Sequence, residues 1–150
     1  MKDIFESSVV AEIKERINNL SPETKPQWGK MNAPKMLAHC NVTYDMAFEP
    51  HRFKANAFKK FLLKKFVKPY VVTDKPYKKS SPTSPDFLIR TDKNFDTEKQ
   101  RLFDYLDKVA SLGKNHFEGK ESASFGALSA DEWNVMFYKH LDWHLTQFGA

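Results

Sequence analysis

Hydrophobic positions along most of this chain recur every three or four residues, the spacing that gathers side chains on one face of an α-helix. Over residues 3–20, Phe5, Val9, Ile13 and Ile17 form such a stripe, widened by Ile4, Val10 and Leu20, while Glu6, Glu12, Lys14, Glu15 and Arg16 lie mostly elsewhere. Ser21 and Pro22 stop this helix, and the loop SPETKPQWGKM follows. Asn32 is suited to cap a second helix over about 33–49, with Pro34 in its first turn, where a missing N–H costs nothing. Met36, Leu37, Cys40, Tyr44, Ala47 and Phe48 supply its core face, and Pro50 ends it. Phe95, Leu102, Phe103, Leu106, Val109 and Ala110 predict a helix over 94–112, capped by Asp92 or Asn94 and stopped by Gly113. Ser129 and Glu132 make a capping box that opens a last helix, whose stripe is Trp133, Met136, Phe137, Leu141, Leu145 and Phe148.

The stretch 51–93 breaks this regularity. Ala55 to Val67 reads as a short helix with Phe58, Phe61, Leu62 and Phe66 on one side and lysine pairs on the other. The simplest expectation is that the Phe/Leu side covers the bundle and the lysines face water. After it, KPYVVTDKPYKKSSPTSPDFLIRTD holds four prolines and reads as a crossover loop. Strand character is confined to the short runs Tyr70–Thr73 and Phe87–Arg90.

These elements predict an all-α fold: one domain over residues 1–150, built as a four-helix bundle with a short extra helix. Up-down-up-down and up-down-down-up orders both fit the periodicity. The histidines separate them. His140 and His144 stand four residues apart on the inward stripe of the last helix, so both rings project to one side. His39 lies on the stripe Met36, His39, Thr43, Met46 at the margin of the second helix's apolar face. At 1.5 Å per residue, His39 lies roughly 10 Å from the start of its helix, and the pair is centred roughly 9 Å before the end of its own. The three rings reach one level only if the two helices run antiparallel. That is the up-down-down-up order, which also requires the long crossover between the second and third long helices. A three-histidine site leaves coordination positions open, and imidazole donors suit Zn, Ni, Fe or Cu. Such an ion can activate water or a thiol.

Composition adds limits. The chain has 150 residues, 13 of them Phe, and a single cysteine, Cys40, which excludes an internal disulfide and a cysteine-based zinc site. No apolar run is long enough to span a membrane, and the first residues lack the apolar centre of a secretory signal, so a cytoplasmic setting is expected. The net charge of +5 is local: Arg52 to Lys79 holds ten basic residues against one acid, Asp74. No motif for sequence-specific nucleic-acid binding accompanies it.

The segments WGKMNAPKMLAHC, SPTSPDFLIRTDKNFDTEKQRLFDYL and FGALSADEWNVMFYKHLDWHLTQFG resemble a subgroup, largely of unknown function, of the DinB/YfiT-like superfamily. The likeness runs from Trp28 onward and is weakest over 51–79. It implies an up-down-down-up four-helix bundle with a divalent metal, often zinc or nickel, bound by one histidine of the second helix and a HxxxH pair of the last. Those positions are His39, His140 and His144 here. The resemblance also implies a small-molecule substrate, a low-molecular-weight thiol as co-substrate in thiol-dependent S-transferases and isomerases, and a homodimer. Where the subgroup usually has His-Pro before the FG of its last block, this chain reads Ser122-Ala-Ser-Phe-Gly126.

Two functions follow as expectations: a metal-dependent S-transferase or hydrolase, or a non-catalytic helical module that uses its basic helix on an anionic surface. Among other residues, Cys40 is expected to fill the core and Asp142 to face solvent. Tyr44, Asp45 and Glu49 are candidates to orient an imidazole or to act as a general base, His51 and His116 are expected at the surface, and Trp133 and Trp143 in the core or at a pocket rim.

Overall fold

The computed structural model describes residues 1–53, 55–79, 81 and 83–150. It is mostly helical. Helix α1 (Ser7–Asn18) buries Val10, Ile13 and Ile17, and the predicted first turn, 3–6, is non-helical instead. Helix α2 (Ala33–Phe48) is capped by Asn32, whose side chain accepts from the Lys35 amide, and is buried on nearly every side. A continuous helical arm follows: α3 (Ala57–Leu62), a π-helical turn (Leu63–Val67) and α4 (Lys68–Val71). Helix α5 (Phe95–Phe117) is interrupted at Gly113, whose φ of 69° and ψ of 173° break the helical path where the sequence predicts a stop. Helix α6 (Ala130–Gln147) opens on the expected capping box of Ser129 and Glu132.

The long helices share one core, in which Ile13, Ile17, Met36, Leu37, Leu102, Leu106, Trp133 and Leu145 are all fully buried. Polar pairs fix how helices meet. Between α2 and α5, Asn41 Nδ2 donates to the Glu98 carbonyl and carboxylate (3.0 and 2.9 Å), and Asp45 takes Arg101 and the Tyr105 hydroxyl. Helix α1 joins α5 through Lys14 and Asp107 and joins α6 through Arg16 and Asp142, 2.7 Å apart. No described helix is long and apolar enough to cross a membrane.

Two expectations fail. The paired strands lie at neither predicted run but at β1 (Lys120–Ser122) and β2 (Gly126–Leu128), an antiparallel hairpin against α6. Three-residue strands are too short to show alternation, and their turn is set by one side chain: Ser122 Oγ donates to the Gly126 carbonyl and accepts from the Phe125 amide. The second failure concerns the arm. Leu63, Val71 and Val72 are what it packs against the core, while Phe58, Phe61 and Phe66 stand 71, 59 and 59% exposed. The stripe read from the sequence faces solvent, and Leu63 and Val71, which lie off that stripe, face the core.

Leu106→Ala should lower unfolding free energy by about 2–5 kcal/mol in urea denaturation, because it empties a fully buried site. Phe61→Ser, on the exposed face, should stay within about 0.5 kcal/mol of the wild type.

Candidate metal centre

Helices α2 and α6 bring His39, His140 and His144 together, each offering one ring nitrogen within 4.8 Å of the other two. His39 Nε2 lies 3.0 Å from His140 Nε2, and the ring centroids are 4.6–4.9 Å apart. Donors held 2.0–2.1 Å from one zinc ion in a tetrahedral array stand roughly 3.4 Å apart. The triad is therefore close to a shared ligand span. Thr43, one turn after His39, meets His140 rather than His144, so the contacts climb α2 as they descend α6.

The second nitrogen of each ring is tied to an oxygen. His39 Nδ1 lies 3.0 Å from the Phe87 carbonyl, His140 Nδ1 2.9 Å from Thr43 Oγ1, and His144 Nδ1 2.8 Å from Gln147 Oε1. A carbonyl only accepts, so His39 carries its proton on Nδ1 and points a lone pair from Nε2. The Gln147 amide is oriented by its own donation to the Trp28 carbonyl at 2.7 Å, which turns Oε1 toward His144 and gives that ring the same tautomer. For His140 the network allows a proton on Nε2 donated to His39, with Thr43 donating to Nδ1. Turning the Thr43 hydroxyl to accept lets the proton move to Nδ1 and frees the third Nε2. Partners of this kind fix ring orientation and raise ligand basicity in metal sites.

Support extends into the loop before α2. A Cβ on Gly29 (φ 86°) would lie 2.8 Å from Gln147 Nε2, so only glycine leaves the amide room to sit against Trp28 and still reach His144. The Gln27 amide donates to the Gln147 carbonyl at 2.8 Å, joining the same loop to the end of α6.

The rings open onto a cavity of about 720 Å³ lined by Met31, Met46, Leu63, Val67, Tyr77, Trp143 and other mainly apolar side chains, with Lys30, Lys35, Lys78 and Asp86 among its charged groups. That volume is in the range of small-molecule sites. Burial holds all three imidazoles toward the neutral, ligating form. His39 lies below the usual histidine range through desolvation, opposed by the Phe87 carbonyl. His140 falls well below it through desolvation and then through His144, His39 and Lys139. His144 is lowered to about 4 by desolvation and His39, with the Gln147 bond opposing.

One wall of this cavity is tethered next to the site. Lys139, beside His140, is buried and donates from Nζ to the carbonyls of Tyr70, Thr73 and Lys75, and it lies 4.4 Å from the centre of the Tyr77 ring. Burial brings its pKa down to about 8. Tyr77 in turn packs edge-on against His140 and Trp143.

The remaining candidates lie elsewhere. Cys40 is fully buried beside Met36, and burial pushes its thiol pKa up, so it is core and not a nucleophile. Asp142 is half-exposed and pairs with Arg16. None of Tyr44, Asp45 and Glu49 orients an imidazole: Tyr44 stacks on Phe137, Asp45 binds Arg101 and Glu49 binds Arg52. His51 and His116 are exposed. Trp133 is in the core, and Trp143 lines the cavity. Thr43 and Gln147, four and three residues after a triad histidine, carry a spacing signal for their orienting roles. The Phe87 carbonyl and the Lys139 tether carry none, because each depends on where the crossover backbone comes to rest.

Comparison with protein-family models, with curated proteins and with solved structures finds no match for this chain.

Acid should weaken the fold through these rings. Their native pKa values lie below the value of about 6.5 of an unfolded histidine, so the unfolded chain binds protons that the native one refuses. The stabilisation is complete above that pH and declines through the window down to about 4 for His144. Urea denaturation of metal-free protein should show a loss of about 1.4 kcal/mol per pH unit for each histidine involved. The slope should flatten in a His140→Gln/His144→Gln variant.

Proposed function

We propose that this chain is a DinB/YfiT-like four-helix bundle in the up-down-down-up order, holding one divalent metal ion on His39, His140 and His144. Contact pairs support the order. Between α1 and α6 they advance together, from Ile4 with Asn134 to Arg16 with Asp142. Between α2 and α5 they also advance together, from Asn41 with Glu98 to Asp45 with Arg101. Between α1 and α5 they run oppositely, from Phe5 with Phe117 to Lys14 with Asp107.

The observation that carries the metal reading is the pairing of every Nδ1 with an oxygen, while the two closest Nε2 atoms face each other at 3.0 Å. With every Nδ1 protonated, both Nε2 lone pairs face one another, and a cation between them takes the place of the proton that His140 otherwise donates to His39. The all-imidazole donor set favours zinc or nickel, with iron also accommodated. Bound there, the ion supplies Lewis acidity able to activate a water or a low-molecular-weight thiol.

The chain's own part is to position and to exclude. Thr43, Gln147 and the Phe87 carbonyl hold the rings, and the mainly apolar cavity walls offer room for a small-molecule substrate. Cys40 is sealed in the core, so a thiol acting at this site would come from a bound co-substrate. The reading is a metal-dependent transferase or hydrolase.

Protein purified without an affinity tag or metal column should contain stoichiometric zinc or nickel by elemental analysis. His140→Ala and His144→Ala should abolish it, and Thr43→Val or Gln147→Leu should weaken affinity about 10- to 100-fold. Metal-free protein whose thermal unfolding is unmoved by added zinc or nickel contradicts the reading.

A further inference from the structure

The arm over residues 57–71 presents a different surface. Its inward residues Leu63, Val67 and Val71 wall the histidine cavity. Its outward residues Phe58, Phe61, Phe66 and Tyr70 are each at least 59% exposed, with Leu62 beside them. Four large aromatics left in water on one short helical segment are costly, and apolar exposure concentrated in this way marks a binding surface.

Its charge says what it meets. Lys59 pairs with Asp86 and Lys68 with Glu132, but among the described residues Lys60, Lys64 and Lys65 have no carboxylate partner. Lys65 Nζ instead lies 5.9 and 5.5 Å from the centres of the Phe61 and Phe66 rings, a cation set among aromatics. A second copy of this chain would bring like charge against like charge about a twofold axis, which disfavours self-association through this face. Nucleic acid would satisfy the lysines but needs no aliphatic Leu62 beside the rings.

A helix with bulky apolar side chains on one side, lysines interleaved and no length to span fits the plane of an anionic bilayer. There the rings enter the acyl boundary and the ammonium groups remain with the lipid phosphates. From these residues we infer that the arm docks the protein on an anionic membrane surface, with Phe58, Phe61, Phe66 and Tyr70 inserted and Lys60, Lys64 and Lys65 on the headgroups. Because the same segment walls the cavity, docking holds that wall at the lipid interface.

The test is co-sedimentation of the full chain with vesicles of phosphatidylcholine alone or mixed equally with phosphatidylglycerol. Binding should require the anionic lipid. It should fall about 10- to 100-fold in Lys60→Gln/Lys64→Gln/Lys65→Gln, and comparably in Phe58→Ser/Phe61→Ser/Phe66→Ser. Circular dichroism should show both variants folded, since the changed side chains are solvent-exposed. A Phe66→Trp variant should be quenched by brominated acyl chains, a depth signal that surface adhesion alone does not give.

No binding to the anionic vesicles overturns the inference. So does binding indifferent to the phenylalanine changes, or tighter binding to a single-stranded oligonucleotide than to the vesicles. His140→Ala/His144→Ala should bind vesicles as the wild type does, so failure here and failure of the metal reading are told apart.

Discussion

Each histidine of the triad gives its Nδ1 to an oxygen that comes from a different part of the chain. Phe87 belongs to the crossover, Thr43 to α2 and Gln147 to the end of α6. That constraint organises much of what surrounds it. The crossover must return over α2 for its carbonyl to reach His39. The Trp28–Gly29 turn must lie against Gln147 with no side chain at Gly29, since a Cβ there would meet the amide. Lys139, beside His140, collects three further carbonyls and so ties the segment from Tyr70 to Lys75 to the helix that carries two of the rings. Packing alone would tolerate leucine at several of these positions. A buried polar network does not, because each unmet group costs more than its bond returns.

Much of this was legible in the chain. The caps at Asn32, Asn94 and Ser129 and the break at Gly113 are local signals, set by backbone chemistry within a turn, and they appear where the residues predict. The HxxxH spacing is likewise local, and the two rings it pairs lie together with His39. What the chain did not disclose is non-local. Phe87 contributes a main-chain oxygen, for which any residue type would serve. The hairpin at Lys120–Ser122 and Gly126–Leu128 is too short for a period to show.

The arm is the instructive error. Its apolar stripe is real in the sequence, but amphipathicity says only that a face avoids water, not which neighbour covers it. The inward side goes to Leu63, Val67 and Val71, and the phenylalanines are left outside. The lysine-rich stretch thus holds two opposed surfaces, one on the cavity and one on solvent. Lys60, Lys64 and Lys65 of the acid-poor stretch from Arg52 to Lys79 belong to the second, whereas Lys78 lines the cavity.

The most direct measurement is a long-range ¹H–¹⁵N spectrum of the imidazole rings as zinc is titrated into metal-free protein. Convergence of three Nε2 donors on one ion predicts that His39, His140 and His144 all finish with Nδ1 protonated and Nε2 shifted, at a single zinc equivalence point. A ring that binds through Nδ1, or one of the three left unshifted at saturation, would contradict it.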